Sequence, residues 1–305
     1  MNAAIKCGLG GNVDRFLGDR KAICIFVLPA LLLFSILIIL PIFFSLFYST
    51  LDWNGVGDGI FIGLKNFERL IISNTDGFTK SIKNSFVLAG LSIFIQLPIA
   101  LTIALTLARG VKGARFFRTV YFVPVIISTV VIGQLWMKVY HPDYGLLNIL
   151  LRSIGLDSLT NQWLGNAKTA LLAVFIPIVW QYVGYHMLLM YAAAKSVPDE
   201  IYESARIDGA NEITIALKIS IPLIKPMLRV CVIFATIGAF KSFDLIYVLT
   251  NGGPMHATDM PTTLMYNTIF VQGLFGYGSA MAIFVIVECF TFTLVIQKIF
   301  GKVNV

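Results

Sequence analysis

The sequence predicts an all-α integral membrane protein with six transmembrane helices. Of its 305 residues, 57% are hydrophobic and only 13% are charged, whereas soluble domains carry about 25% charged residues. The apolar residues are gathered into six runs, and about 20 residues are enough for a helix to cross the bilayer core. Composition and run length together predict that lipid surrounds most of the chain.

The six runs divide the chain into one six-span domain, 22–298, with a short segment at each end, 1–21 and 299–305. The predicted spans lie at about 22–48, 84–107, 117–137, 169–191, 227–248 and 279–298. The first run is nearly twice as long as the apolar core of a signal peptide, which has about 7–15 residues. We therefore expect an uncleaved first span.

The distribution of Lys and Arg predicts which side each connection occupies. The link between spans two and three, 109–118, holds basic residues and no acid, and short loops with such a bias stay on the cytoplasmic side. With the N-terminus inside, most of the 23 Lys and Arg residues also lie inside. We therefore expect both termini and the 196–226 connection to be cytoplasmic.

The net charge of +7 does not require a nucleic-acid partner. Membrane proteins hold excess Lys and Arg on the cytoplasmic side for reasons of topology, and this excess explains the charge. The four cysteines form no CxxC or CxxH spacing, so we predict packing residues rather than disulfides or a metal site.

No sequence motif for catalysis is found. The G-x4-G-K-[ST] phosphate loop is missing, so the chain is not expected to hydrolyse ATP itself. HExxH and GxSxG are missing too, and the three histidines lie far apart in sequence. We predict no catalytic residue, no metal and no cofactor in this chain, and therefore no enzyme.

The 196–226 connection is rich in polar residues and has the pattern of a folded unit. Pro198 suits a first helical turn, and the acids after it favour the positive end of a helix. Gly209 can end this helix in a left-handed conformation, and Asn211 can cap a second helix. Pro222 keeps the second helix from running unbroken into the next span. The pattern predicts a helix, a glycine turn and a second helix.

One set of residues within this segment has the order and spacing of a specific sequence motif. It consists of Glu203, Ser204, Ala205, Gly209, Ile219, Ile221 and Pro222. In order and spacing it resembles the EAA signature of ABC importer permeases, E-A-A-x3-G-x9-I-x-L-P, with departures at Ser204 and Ile221. The resemblance implies the six-span type I permease fold. It also implies that this segment docks into a groove on a cytoplasmic ATPase and carries the effect of ATP binding to the spans.

A second stretch, FDLIYVLTNGGP at 243–254, is similar to the carbohydrate-uptake branch of that family. The similarity implies a permease for a sugar or sugar-like solute in a bacterial-type plasma (inner) membrane. Its implied partners are a second permease subunit, two ATPase subunits that hold ATP and Mg, an extracytoplasmic solute-binding protein and membrane lipid.

Polar and aromatic residues within the spans are candidates for a solute path. Aromatic faces stack on sugar rings, and amides bond hydroxyls in two directions. The family resemblance implies path residues at Tyr182, Val183, Gly184, Ala239 and Ser242. The two span-five positions depart from the amide-rich pattern of maltose-type permeases. An aromatic packing surface with interfacial Trp and Tyr is the alternative.

Charged residues near and within the spans add further expectations. Glu288 lies near the centre of span six, where a carboxylate is costly unless paired, protonated or facing water. We expect it to face the interior or a partner subunit, and it is a further candidate for the solute path. The spacing i, i+3 predicts helix ion pairs between Lys241 and Asp244 and between Glu203 and Arg206. For Lys241 and Asp244, a contact to the solute or to a binding protein is the alternative.

Two other functions compete with an importer permease. A self-sufficient secondary transporter needs intramembrane acids or ion sites, and Glu288 is the only support for it. An integral-membrane enzyme needs a catalytic constellation, and none was found. Neither alternative explains the EAA-like segment.

Overall fold

The computed structural model describes residues 20–74 and 76–301. Five helices are long and apolar enough to cross a membrane, and a bent pair of helices makes a sixth span. The spans are Cys24–Tyr48, Phe78–Ala108, Ala114–Ile126 with Thr129–Val139, Ala170–Lys195, Lys225–Leu249 and Phe275–Phe300. This confirms the predicted all-α membrane fold. Most of the two predicted terminal segments, 1–19 and 302–305, lies outside the described residues.

The first span is helical throughout and exposes its apolar side chains. It consists of Arg20–Phe34, a π-helical turn Ser35–Ile39 and a final helix Leu40–Tyr48. None of its most apolar stretch is buried inside the protein. Its last helix packs against the sixth span. In a bilayer such exposure carries no penalty, because lipid tails are as apolar as the side chains themselves.

A small folded connection follows the first span. Its elements are the antiparallel strands Leu51–Asp52 and Ile60–Phe61, a helix Lys65–Glu68 and a π-helical turn Arg69–Ser73. The buried amide of Asn66 donates hydrogen bonds to the carbonyls of Ser49 and Leu51, at 2.9 and 2.8 Å. These bonds fold the connection back onto the end of the first span.

The second span begins at Phe78, before the predicted start at residue 84. It consists of Phe78–Leu91, a π-helical turn Ser92–Gln96 and Leu97–Ala108. Polar residues in its first turns hide the true start from a reading of hydropathy. The hydroxyl of Ser81, for example, is buried and donates to the carbonyl of Phe78 in its own helix.

The third span differs from the single helix predicted over 117–137. Helices Ala114–Ile126 and Thr129–Val139 meet at 96° across the extended residues Ile127 and Ser128. Pro124, in the last turn of the first helix, lacks the backbone N–H that would continue the hydrogen-bond ladder. Hydropathy registers an apolar run but not this change of direction.

The fifth span is also interrupted, whereas the fourth and sixth are continuous. Its helices Lys225–Phe240 and Asp244–Leu249 are separated by three non-helical residues. The interruption removes the i, i+3 geometry expected for Lys241 and Asp244. Among the described residues no ion pair joins them, so that prediction is wrong.

Shorter helices occupy the connections. They are Leu146–Ser153, the 3-10 turn Asp157–Leu159, Asp199–Ile207, Glu212–Ile215, Ile221–Leu223 and Pro261–Phe270, with a π-helical turn at Ala216–Ser220.

The connection between the fifth and sixth spans, which contains the sequence TNGGP at 250–254, is held to the second span by hydrogen bonds. The side-chain amide of Asn84 donates to the carbonyls of Ala257 and Asp259, at 3.1 and 2.9 Å. The Asp259 carboxylate lies 2.6 Å from Nδ1 of His256. Burial raises the pKa of Asp259, and the neighbouring imidazole opposes this rise. Asn84 therefore holds the backbone of the loop, while the Asp259 carboxylate is paired within the loop.

The packed core lies between the second, fourth, fifth and sixth spans. Phe175 and Phe240 are fully buried in one cluster, and Met187 and Cys231 in a second one. The ring of Phe240 also meets those of Phe86 and Phe292 edge-on, with centroids 5.1 and 5.2 Å apart.

Gly184 allows the third and fourth spans to touch backbone to backbone. A Cβ at this position would overlap the carbonyl oxygen of Tyr121 and come close to the backbone of Phe122. Because backbone atoms cannot move aside as a flexible side chain can, the contact requires glycine.

We expect Gly184→Ala to lower the apparent Tm of the detergent-purified protein, because overpacking a core costs about 1–3 kcal/mol. The matched control is Gly238→Ala, since Gly238 is also inside a span but its added Cβ would meet nothing within 4 Å. Alanine is the better helix former by about 1 kcal/mol, so the control should be neutral or slightly stabilising. Equal Tm values for the two variants would contradict the assigned contact.

Candidate functional site

The 196–226 segment folds as the predicted helix, glycine turn and second helix. The first helix, Asp199–Ile207, follows Pro198 directly. Gly209 has φ +80, and the N–H of Ala210 bonds the carbonyl of Ala205 at 3.0 Å. This bond closes the helix end in the geometry for which glycine is preferred. The Asn211 side chain then accepts from the Thr214 N–H at 2.8 Å and caps the second helix as expected.

The spacing i, i+3, i+4, i+7 predicts one common face of the second helix for Ile213, Ala216, Leu217 and Ser220, and the structure does not keep it. Ser220 is buried, whereas Ile213 and Leu217 are exposed. The π-helical turn Ala216–Ser220 widens the helix and shifts the angular positions of its side chains. Together with Ile207, which is 86% exposed, Ile213 and Leu217 are the most exposed of the large apolar side chains in the segment.

The EAA-like residues divide between the two sides of the segment. Ala205 is buried against the spans, and Ile219 is half-buried. Glu203, Ser204 and Pro222 are exposed. The hydroxyl of Ser204 donates to the carbonyl of Glu200 at 2.8 Å, so this departure from alanine is absorbed within the helix.

The predicted pair of Glu203 with Arg206 is replaced by a different one. Arg206 lies 3.3 Å from the carboxylate of Glu212, across the glycine turn. Glu212 is also paired with Arg109 at 2.8 Å. The turn at Gly209 brings the start of the second helix beside the end of the first, which spacing along one helix could not predict.

A cavity of about 420 Å³ lies among the second, third, fourth and fifth spans. Its polar lining residues are Ser92, Gln96, Thr129, Gln181, Tyr182, Tyr185, His186, Lys241, Ser242 and Asp244. Both interrupted spans open onto it. Thr129 begins the helix after the bend in the third span, and Ser242 lies within the break of the fifth.

The predicted path residues are not all in this cavity. Tyr182, Ala239 and Ser242 line it. Val183 packs against the cluster around Met187, and Gly184 lies against Tyr121 as described above. These two therefore face neighbouring helices.

Glu288 lies in the packed interior of the protein and is not a lining residue of the cavity. Its side chain is buried, and both of its carboxylate oxygens lack a hydrogen-bond partner among the described residues. The expectation that it faces the interior agrees with this position.

Three buried polar residues of the cavity are not among the path residues that the family resemblance implies. Gln96, Gln181 and His186 are each about 2–3% exposed, and Nδ1 of His186 has no partner among the described residues. A signal was present, because Gln181, Tyr182, Tyr185 and His186 repeat at helical spacing and share one face.

The chain is similar to a known protein family and to several of its members. The family model described as "Binding-protein-dependent transport system inner membrane component" matches residues 96–303. The probable ABC transporter permease protein YurN of Bacillus subtilis is 39% identical over 90% of this chain and 94% of its own length. The diacetylchitobiose uptake system permease protein NgcF of Streptomyces coelicolor is 33% identical over 83% of this chain and 74% of its own length.

A further relative and a solved structure extend the comparison. The trehalose/maltose transport system permease protein MalF of Thermococcus litoralis is 32% identical over 92% of this chain and 94% of its own length. A chain in the crystal structure of a bacterial ABC transporter for import of the acidic polysaccharide alginate superposes with a TM-score of 0.81. It is 22% identical, with 97% of this chain and 99% of that chain covered, and so it shows the shared fold.

The family model covers the EAA-like segment, the cavity residues from Gln96 onward and the whole sixth span. Two of the relatives cover 90% and 92% of this chain. The chain therefore belongs to the binding-protein-dependent transport system inner membrane components, and it is a multi-pass translocation subunit of an ABC importer, a transport component rather than an enzyme.

Proposed function

We propose that this chain forms part of the translocation path for a sugar or sugar-like solute and is driven by ATP on separate subunits. The observation that carries the proposal is the cavity in which amide, imidazole and phenol groups converge between interrupted spans. The names of relatives, which include uptake systems for diacetylchitobiose and for trehalose and maltose, support a carbohydrate.

The chemistry of the cavity suits a polyhydroxylated solute. The amides of Gln96 and Gln181 can each donate to and accept from hydroxyls, and the imidazole of His186 also lines the cavity. The ring of Tyr182 offers a face for a pyranose. A volume near 420 Å³ lies within the usual range for small-molecule sites, about 300–1,000 Å³.

The 196–226 segment is the proposed contact with the ATPase. Its exposed Ile207, Ile213 and Leu217 form apolar surface suited to a partner protein. Glu203, Ser204, Ala205, Gly209, Ile219 and Pro222 shape or flank this surface. ATP binding would close the two ATPase subunits and draw the docked segments together, so that the path opens outward. Hydrolysis would reset it.

This arrangement requires the sidedness expected from the charge pattern. Residues 22–298 would form the single six-span domain, with the 196–226 segment and the termini, 1–21 and 299–305, in the cytoplasm. The chain would pair with a second permease subunit and two ATPase subunits that hold ATP and Mg, and hold no cofactor itself. An extracytoplasmic solute-binding protein would deliver the solute to this complex in a bacterial-type inner membrane.

The test of solute transport uses the whole importer in proteoliposomes, with labelled trehalose, maltose and diacetylchitobiose as probes. We expect ATP-dependent uptake of at least one of them. We expect Gln181→Leu to reduce that uptake roughly tenfold or more, since loss of a buried hydrogen-bonding group costs about 1–3 kcal/mol.

The control for this variant is Thr102→Val. Thr102 is a polar residue of the second span that is exposed outside the cavity, and its hydroxyl bonds the carbonyl of Pro98 in its own helix. Its uptake should stay at the wild-type level. Normal uptake by Gln181→Leu would remove the cavity from the path, and uptake without ATP would contradict the importer function.

Gly209→Asp tests the proposed contact with the ATPase. A side chain at φ +80 strains the turn and displaces the second helix. We expect normal insertion into the membrane but loss of ATPase co-purification and of uptake.

Gly155→Asp is the matched control. Gly155 has φ +75, ends the helix Leu146–Ser153 with the same hydrogen-bond pattern, and has open space at its Cβ position. Its variant should keep the ATPase. Retention of the ATPase by Gly209→Asp, or its loss in both variants, would refute the specific role of the 196–226 turn.

A further inference from the structure

The contact between the 196–226 segment and the link joining the second and third spans centres on Glu212. Nη1 of Arg109 lies 2.8 Å from Oε2 of Glu212, and Nη2 donates to the backbone carbonyl of the same residue, also at 2.8 Å. Arg206 approaches the other carboxylate oxygen at 3.3 Å. Glu212 thus holds one arginine from outside the segment and one from within it.

The connectivity of the chain gives the outer arginine a particular position. The 196–226 segment continues covalently into the fourth and fifth spans alone. The second and third spans also line the cavity, through Gln96 and Thr129, but they are joined to the segment only by contacts. Arg109 directly follows the last helical residue of the second span and begins the short link to the third.

The geometry of this contact is directional. Arg109 bonds a side-chain oxygen and a backbone oxygen of one residue, and a planar guanidinium that makes two such bonds fixes orientation as well as distance. Glu212 is the first residue of the second helix, directly after its cap Asn211. A displacement of that helix start therefore pulls on Arg109.

The other contact between these elements is apolar. Leu105 of the second span packs in a cluster with Ile224 and Ala216. Apolar contact is non-directional, so such a surface resists separation but lets the two elements slide past each other. Among the described residues, Arg109 makes both the hydrogen bond and the ion pair that hold the segment to the 109–113 link.

We propose that Arg109 is a positioning residue that ties the second and third spans to the 196–226 segment through Glu212. Movement of the segment on ATP binding then reaches all the spans that line the cavity, rather than the fourth and fifth alone. This inference rests on the proposed contact of the segment with an ATPase.

The role is mechanical rather than stabilising. The Arg109 and Glu212 side chains are 32% and 50% exposed, and ion pairs with such exposure contribute little to folding stability. Loss of the contact between Arg109 and Glu212 should therefore leave the protein folded and bound to its ATPase, while the coupling of ATP hydrolysis to solute uptake is weakened.

The test measures uptake and ATP hydrolysis in the same proteoliposomes of the whole importer, with labelled trehalose, maltose and diacetylchitobiose as probes. We expect Arg109→Ala to retain the ATPase and its hydrolysis but to move about fivefold less sugar per ATP, the lower end of common coupling factors between sites. Lys112→Ala is the matched control. It removes an exposed cation from the same 109–113 link, and among the described residues no hydrogen bond or ion pair joins Lys112 to the 196–226 segment, so its ratio should remain near wild type.

A second variant covers the case in which Arg109→Ala fails to assemble. Arg109→Lys keeps the charge but cannot contact the Glu212 carboxylate and its backbone carbonyl together as a guanidinium does. Its sugar-to-ATP ratio should therefore lie between those of wild type and Arg109→Ala. A wild-type ratio in either Arg109 variant, or an equal loss in Lys112→Ala, would contradict this role of Arg109. If wild-type vesicles showed no ATP-dependent uptake, the proposed function would fail and this inference with it.

Discussion

The bilayer requires every backbone N–H and C=O within it to find a partner inside the protein, and the rest of this structure follows from that requirement. Six apolar runs become helices because a helix satisfies its own backbone groups. Where the helices are interrupted, the freed groups must face protein or a polar cavity. Both interruptions adjoin the same cavity, which is lined by Thr129 after the bend of the third span and by Ser242 within the break of the fifth.

The interrupted spans also explain why polar side chains can lie there. Gln96, Gln181 and His186 would each be costly against lipid tails. Buried between spans and directed at a shared cavity, they can instead bond a solute or water. Backbone breaks and polar side chains are both costly in the lipid interior. Here they lie together at one cavity, where each supplies polar groups that lower the cost of the other.

Contacts at Gly184 and at Arg109 connect the spans around this cavity. Close backbone approach at Gly184 sets the distance between the third and fourth spans. At the other end, the 196–226 segment meets the second span through Arg109 and Glu212. In the proposed function, motion at the segment is useful only if it reaches the cavity, and rigid contacts of this kind are the means by which helices move together.

The local chain determined much of this protein before any packing was considered. Apolar run length, about 20 residues each, decided the number of spans. Pro198, Gly209 and Asn211 specified the helix, turn and helix of the 196–226 segment, because capping and left-handed turns depend on a few neighbouring residues. The EAA-like spacing identified the family because it, too, is made of residues that lie close together in the sequence.

Tertiary structure decided what depends on the distance between remote residues. The 96° bend of the third span is set by packing, since Pro124 weakens a helix without choosing its new direction. Arg206 bonds Glu212 rather than Glu203, because the turn folds one helix start back beside the other helix end. Val183 and Gly184 face neighbouring helices while Gln181 and His186 face the cavity, because the rotation of a helix within a bundle is fixed by its neighbours and not by its own sequence.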